Sequence, residues 1–260
     1  MPHPIRNLLL ILTLILPDGT AAGEEKEPGG TRFDMARYMQ GRMVYEKNCT
    51  FCHGRRGRGD GPWAEGVEDR PRNFRSGVFK FRSTPLGFLP TDDDLRRTVR
   101  TGISGTMMPA FKKLSATDLD AVILYIKNLS TRWNRPELKS RPLAVPAEPG
   151  WLKDATGRRG HVSDGAALYG KTCSVCHGPL GKGDGPGSKG LRDVWGHEIV
   201  PADLSRGQFK SGPARSDLYR TIALGLDGTP MAGFKDALKP GQVWDLIAYI
   251  ESLKKPADPE

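Results

Sequence analysis

The most specific chemistry in this sequence belongs to four cysteines: Cys49 and Cys52, then Cys173 and Cys176. Each pair encloses two residues and is followed at once by a histidine, in Cys49-Thr50-Phe51-Cys52-His53 and Cys173-Ser174-Val175-Cys176-His177. Four cysteines in an exported chain often form two disulfides, and one Cys-x-x-Cys-His fits a redox dithiol or half of a zinc site. Two copies, each ending in His, read as c-type haem attachment. In that chemistry both thiols add to porphyrin vinyl groups and the adjacent imidazole turns onto the iron. On a helical turn this spacing puts the two sulfurs on one side. A zinc site would have to gather thiols from pairs offset by 124 residues (173 − 49). The expectation is two covalently bound haems c, with His53 and His177 as iron ligands.

The sixth ligand separates an electron wire from a catalyst. Gly105-Thr106-Met107-Met108-Pro109-Ala110-Phe111 and Gly228-Thr229-Pro230-Met231-Ala232-Gly233-Phe234 share the pattern Gly-Thr-x-Met-x-x-Phe. Met231 is the sole methionine of the second copy. In the first copy Met107 competes, but Met108 aligns with Met231 and directly precedes Pro109. Methionine is more often a gap-filling core residue, yet its recurrence at matching positions favours Met108 and Met231 as axial ligands. Outside residues 1–22 and the attachment sites, the only histidines are His161 and His197. His197 is the alternative to Met231; an ordinary loop histidine is its plainer reading.

The elements that must position these groups occur twice. Gly41-Arg42-Met43-Val44-Tyr45-Glu46-Lys47-Asn48-Cys49 matches Gly165-Ala166-Ala167-Leu168-Tyr169-Gly170-Lys171-Thr172-Cys173. Gly-rich stretches 57–62 and 181–186 follow, then Pro71-Arg72-Asn73-Phe74 and Pro201-Ala202-Asp203-Leu204. The copies differ by insertions at 81–93 in the first and 195–200 in the second. The sequence predicts helices over 34–48, 117–129 and 243–253, the last entered through Pro240-Gly241. Met35, Met39 and Met43, four apart, are expected to pack into the core.

Each repeat resembles a class I cytochrome c domain, over about 33–133 and 161–255. The resemblance implies an all-α fold: two tandem class I cytochrome c-like domains joined by a Pro-rich linker, 134–160. In that family the first and last helices of a domain cross. The residues here that match that crossing are Gly41, Tyr45, Val122 and Tyr125, then Gly165, Tyr169, Leu246 and Tyr249. The resemblance also implies that a Pro carbonyl holds the proximal imidazole, with Pro62 and Pro186 as equivalents.

The remaining features bear on location and partners. Arg6, the apolar run 8–16 and Thr20-Ala21-Ala22 read as a signal peptide, 1–22, with an uncleaved anchor as the rival. No later stretch has the length of a membrane span, and the expected location is the periplasm. The linker, with Pro136, Pro142, Pro146 and Pro149, reads as an extended semi-rigid connector that either lets the domains separate or wraps along one. The tail, 254–260, is expected to fray.

The 260 residues carry a formal charge of +9, reduced to about +5 by four haem propionates. Arg55, Arg56 and Arg58 cluster after the first attachment site, as a rim that steers acidic partners or as a solvated loop. Arg72 and Arg75 are candidates to pair with propionates, against an ordinary surface role. Nucleic-acid binding does not suit an exported haem protein. The function expected is electron transfer between redox partner proteins, as a shuttle or as the cytochrome subunit of a periplasmic or membrane-bound oxidoreductase, and not enzymatic. The alternative is a diheme enzyme, such as a peroxidase or a sulfur-compound dehydrogenase, which needs one iron with an open, labile or Cys-ligated sixth position.

Overall fold

The computed structural model describes Met1 and residues 33–254. Apart from Met1, the expected signal peptide lies outside the described residues, as does the tail beyond Lys254. Among the described residues there are eight α-helices: α1 Met35–Asn48, α2 Thr50–His53, α3 Asp92–Thr101, α4 Ala116–Asn128, α5 Arg158–Thr172, α6 Ser174–His177, α7 Arg215–Leu224 and α8 Pro240–Ser252. The only β pairing described is one antiparallel bridge between Arg192 and Glu198.

Local chemistry accounts for the helix starts. Asp34 accepts from the Arg37 N–H to cap α1, and Ser115 accepts from Asp118 N–H to cap α4. The first residue of α8 is Pro240, whose ring fixes φ near the helical value and whose missing N–H costs nothing at that position. Thr91 and Asp94 form a reciprocal capping box at α3, with Asp92, Asp93 and Asp94 all in its first turn. Neither α3 nor α7 is among the helices expected from the sequence, although Thr91-Asp92-Asp93-Asp94 is a legible start signal.

Two helix crossings organise the fold. α1 packs on α4 and α5 on α8. A side chain at Gly41 would run into the Ala121 carbonyl, and one at Gly165 into that of Asp245, so only glycine permits these approaches. Tyr45 packs on Tyr125 with ring centroids 5.0 Å apart, and Tyr169 on Tyr249 at the same distance. Val122 and Leu246 are buried beside them, as the resemblance implied. Each crossing anchors its own apolar cluster: Tyr45, Phe74, Leu95 and Ile123 in the first half, Tyr169, Leu218, Trp244 and Ile247 in the second.

The methionine stripe is corrected by the structure. Met35, Met39 and Met43 are exposed at 60%, 43% and 63%. Positions two residues away from Gly41 lie about 200° around the helix. The face that meets α4 therefore turns these methionines to the outside.

Both insertions lie where the two halves meet. In the first, the wholly buried Arg82 side chain reaches the Leu224 carbonyl and Asp227 of the second half, at 3.4 and 3.7 Å. In the second, Trp195 lies under the Arg72 guanidinium of the first half, 4.2 Å from the ring centroid. The connector is not a free spacer. Leu138 accepts from Leu89 N–H and Leu143 donates to Ser83, while Leu143, Val145 and Leu152 pack on the second core. It wraps along both halves.

Two candidate haem sites

The attachment turns are built alike. In each, the His and the second Cys donate backbone N–H groups to the carbonyl of the first Cys, and the chain leaves through a glycine at φ 75° (Gly54, Gly178). The Gly-rich loop then folds back: Gly59 and Gly61 donate to His53 and Cys52, and Gly183 and Gly185 to His177 and Cys176. Those bonds satisfy carbonyls left open at the end of a one-turn helix. Tyr45 and Tyr169 donate their hydroxyls to Gly54 and Gly178, tying the crossing helix to the turn.

The imidazoles are held by carbonyls other than the expected ones. His53 Nδ1 lies 3.0 Å from the Arg72 carbonyl and His177 Nδ1 3.1 Å from that of Ala202. A carbonyl only accepts, so Nδ1 carries the proton and the Nε2 lone pair is free for a metal. Burial lowers both imidazole pKa values, which favours the neutral ring a metal requires. Pro62 and Pro186 are therefore not the partners. The Gly-rich loops that carry them are spent on the turn's backbone, and the next extended segment, just after Pro71 and Pro201, reaches the ring. Its repetition in both copies was the signal available in the sequence. Phe74 adds a stacked ring 4.3 Å from His53.

The methionine loops are equally matched. Ile103 donates to the Met108 carbonyl and Leu226 to that of Met231, both at 3.0 Å. Thr106 and Thr229 accept from the N–H of Met108 and Met231 at 3.1 and 3.3 Å. Phe111 and Phe234 then donate to Val99 and Ile222, pinning each loop to α3 and α7. Met107 falls outside this clamp and is 57% exposed.

In the second half these groups converge. Cys173, Cys176, His177 and Met231 line one cavity of about 870 Å³ with apolar walls that include Leu218, Ile222 and Phe234. That volume suits a ligand of cofactor size. Cys49 packs on the first core and Cys173 on the second, and no group of three or more His, Cys, Asp or Glu able to hold a metal among the described residues includes a cysteine, which argues against one shared zinc site. Burial pushes the Cys49 thiol up to about 12 and raises that of Cys173, and thioether formation removes that desolvated acid. A cavity with apolar walls, paired thiols and a neutral, backed imidazole fits haem c.

His197 lines the same cavity but is exposed, its ring 3.5 Å from Asp193. His161 is committed elsewhere, stacked on Trp151 at 3.6 Å and 2.8 Å from Asp245. Arg75 is exposed, as are Arg55, Arg56 and Arg58. No helix among the described residues is long and apolar enough to cross a membrane.

Comparison with known proteins agrees with this geometry. Residues 162–254 match the cytochrome c family, and residues 36–126 match the cbb3-type cytochrome c oxidase subunit III family. The cbb3-type cytochrome c oxidase subunit FixP of Azorhizobium caulinodans is 24% identical over 88% of this chain and 64% of its own length. A thiosulfate dehydrogenase of Psychrobacter arcticus is 25% identical over 80% of this chain and 56% of its own. The chain thus spans somewhat under two thirds of these curated relatives. A solved chain of the reducing HAO-like protein complex of Kuenenia stuttgartiensis is 33% identical, with a TM-score of 0.78, over 83% of this chain and 96% of that one. Two cytochrome c matches in tandem, and a relative aligned over nearly its whole length, place this chain in the family of diheme c-type cytochromes, with two class I-like all-α domains and two covalently bound haems c.

Proposed function

We propose that this cytochrome is an exported, periplasmic electron-transfer protein with His53/Met108 and His177/Met231 as axial pairs, one per domain (33–133 and 161–255). It serves as a shuttle or as the cytochrome subunit of a larger oxidoreductase. Bound haem supplies one-electron chemistry at iron. The chain's residues do the rest. The Arg72 and Ala202 carbonyls orient the two imidazoles and fix their tautomer. The matched clamps on Met108 and Met231 carry the reading, because they fix the two methionine backbones in the same way at two sites. A thioether presented from each loop would close the sixth position of a bound haem, which favours electron exchange over small-molecule chemistry. The exposed Arg55, Arg56 and Arg58 beside the first attachment turn suit an acidic partner.

The experiment is ligand replacement in the exported holoprotein. The wild type should hold two haems that resist acid-acetone extraction and show the sulfur-to-iron charge-transfer band when oxidised. Met231→Ala should abolish that band at one haem and Met108→Ala at the other, whereas Met107→Ala should leave both. Loss of the band in Met107→Ala would reassign the first site. The likeness to a thiosulfate dehydrogenase names the second assay. Sustained thiosulfate oxidation by the wild type, near the enzyme median of about 10 per second, would replace electron transfer with catalysis.

A further inference from the structure

The cavity that holds Cys173, Cys176, His177 and Met231 is not closed by its own domain. Part of its lining comes from the first domain, including Asp69, Arg72 and Lys80. Three half-buried cations, Arg72, Lys80 and Lys210, line the cavity, and they are not equivalent. Lys210 is engaged by both carboxylate oxygens of Asp69, at 2.6 and 2.7 Å. Arg72 and Lys80 are half-buried and make no ion pair or side-chain hydrogen bond among the described residues. Arg72 has only the face of Trp195 beneath it.

The acids whose charge reaches this pair are Asp69, Asp193 and Asp227, and all three are engaged elsewhere, Asp69 with Lys210. Asp193 accepts from the backbone N–H groups of Trp195 and His197 and faces the His197 ring. Asp227 faces Arg82. Two desolvated cations on the wall of an apolar cavity leave a charge deficit of two anions. Haem c carries two carboxylates, on the half of the macrocycle away from the vinyl-derived thioethers.

We propose that Arg72 and Lys80, both carried by the first domain, bind the propionates of the haem attached at Cys173 and Cys176. The inference rests on the two-haem reading above. It makes the second haem crevice a joint product of both domains. It also gives Arg72 two roles as a positioning residue: its carbonyl holds His53 of the first site, and its guanidinium reaches the second. One residue then links the two redox centres. The two insertions take part, since Trp195 supports the guanidinium and the buried Arg82 fixes the segment that follows Lys80.

The test is potentiometric titration of the holoprotein, with haem content measured on every variant. The component belonging to the second haem is the one that Met231→His lowers, because imidazole in place of thioether lowers the potential. Loss of a cation beside a haem disfavours the reduced state. Arg72→Gln should lower that component about tenfold in its reduction equilibrium, or about 59 mV for one electron. Lys80→Gln should move it the same way, and Arg72→Lys should restore most of the shift. Arg75→Gln, on the same segment but exposed, should move neither component. The proposal is overturned if Arg72→Gln and Lys80→Gln leave the second component in place with two haems bound, or if they move the first instead. If Arg72→Gln does not fold, the same two results with Lys80→Gln alone decide. A protein with other than two haems, or a Met231→His that moves nothing, would instead overturn the reading beneath it.

Discussion

Gly165 and Gly170 lie on the same helix, α5, and replacing each by Ala should have opposite effects. A Cβ at Gly165 would come within 2.6 Å of the Asp245 carbonyl carbon and 2.9 Å of Tyr249 Cβ. Ordinary contact begins at 3.4 Å, and the obstacle is the backbone of α8, whose Leu246, Ile247 and Ala248 are buried. Overpacking costs about 1–3 kcal/mol, and a backbone obstacle puts this site near about 3. Replacing a helical glycine with alanine returns about 1 kcal/mol. Gly165→Ala should therefore destabilise by about 2 kcal/mol, lowering Tm by roughly 8–16 °C for a domain of this size. Gly170 has no atom within 4 Å of the added Cβ. Gly170→Ala should keep the full propensity gain of about 1 kcal/mol and raise Tm by roughly 4–8 °C. Thermal unfolding of the holoprotein by far-UV circular dichroism reads both. A Gly165→Ala protein as stable as wild type would refute the close-crossing account.

Three further outcomes follow from the same structure. Arg82 has its side chain fully buried, with Nε and Nη1 lacking hydrogen-bond partners. Replacing the pair together, Arg82→Met with Asp227→Asn, should be neutral or stabilising, while Asp227→Asn alone, which strands the Arg82 charge, should cost about 3 kcal/mol in urea unfolding. Burial raises the pKa of Tyr45 and Tyr169 above the ordinary 10.0. The unfolded chain therefore loses these protons first, so their contribution is whole below about pH 10 and falls as pH rises beyond it. Tyr169→Phe should cost about 1 kcal/mol at neutral pH and lessen the alkaline decline, as denaturation at pH 7 and about pH 11 would measure. Reduction by an acidic redox protein should slow between about 0.1 M and 1 M salt, as the Debye length falls from about 10 to 3 Å. Removing Arg55, Arg56 and Arg58 together should flatten that dependence in stopped-flow traces.

What the sequence determined by itself is whatever a short stretch of chain encodes. Cys-x-x-Cys-His fits on one helical turn, so both attachment sites were legible without a fold. The doubled Gly-Thr-x-Met-x-x-Phe pattern singled out Met108 and Met231, and the loops that hold them prove to be matched bond for bond. Gly41 and Gly165 were named by the repeat and by the resemblance to class I cytochrome c domains, and the structure supplies the reason, since another backbone must come close there. Helix α3 was legible too, in the capping box at Thr91 and Asp94.

Tertiary structure decided what depends on segments far apart in the chain. Which carbonyl meets the imidazole depends on where the loop after the attachment turn spends its own hydrogen bonds, so Arg72 and Ala202 take the place expected of Pro62 and Pro186. Spacing gave Met35, Met39 and Met43 a common face but not the face that α4 covers. Arg72 was a candidate for a propionate from its position after the first site, yet its side chain lines the second cavity. Only the packing of the two domains through their insertions could place it there, because a charged side chain is oriented by whatever encloses it, and here that is the other domain.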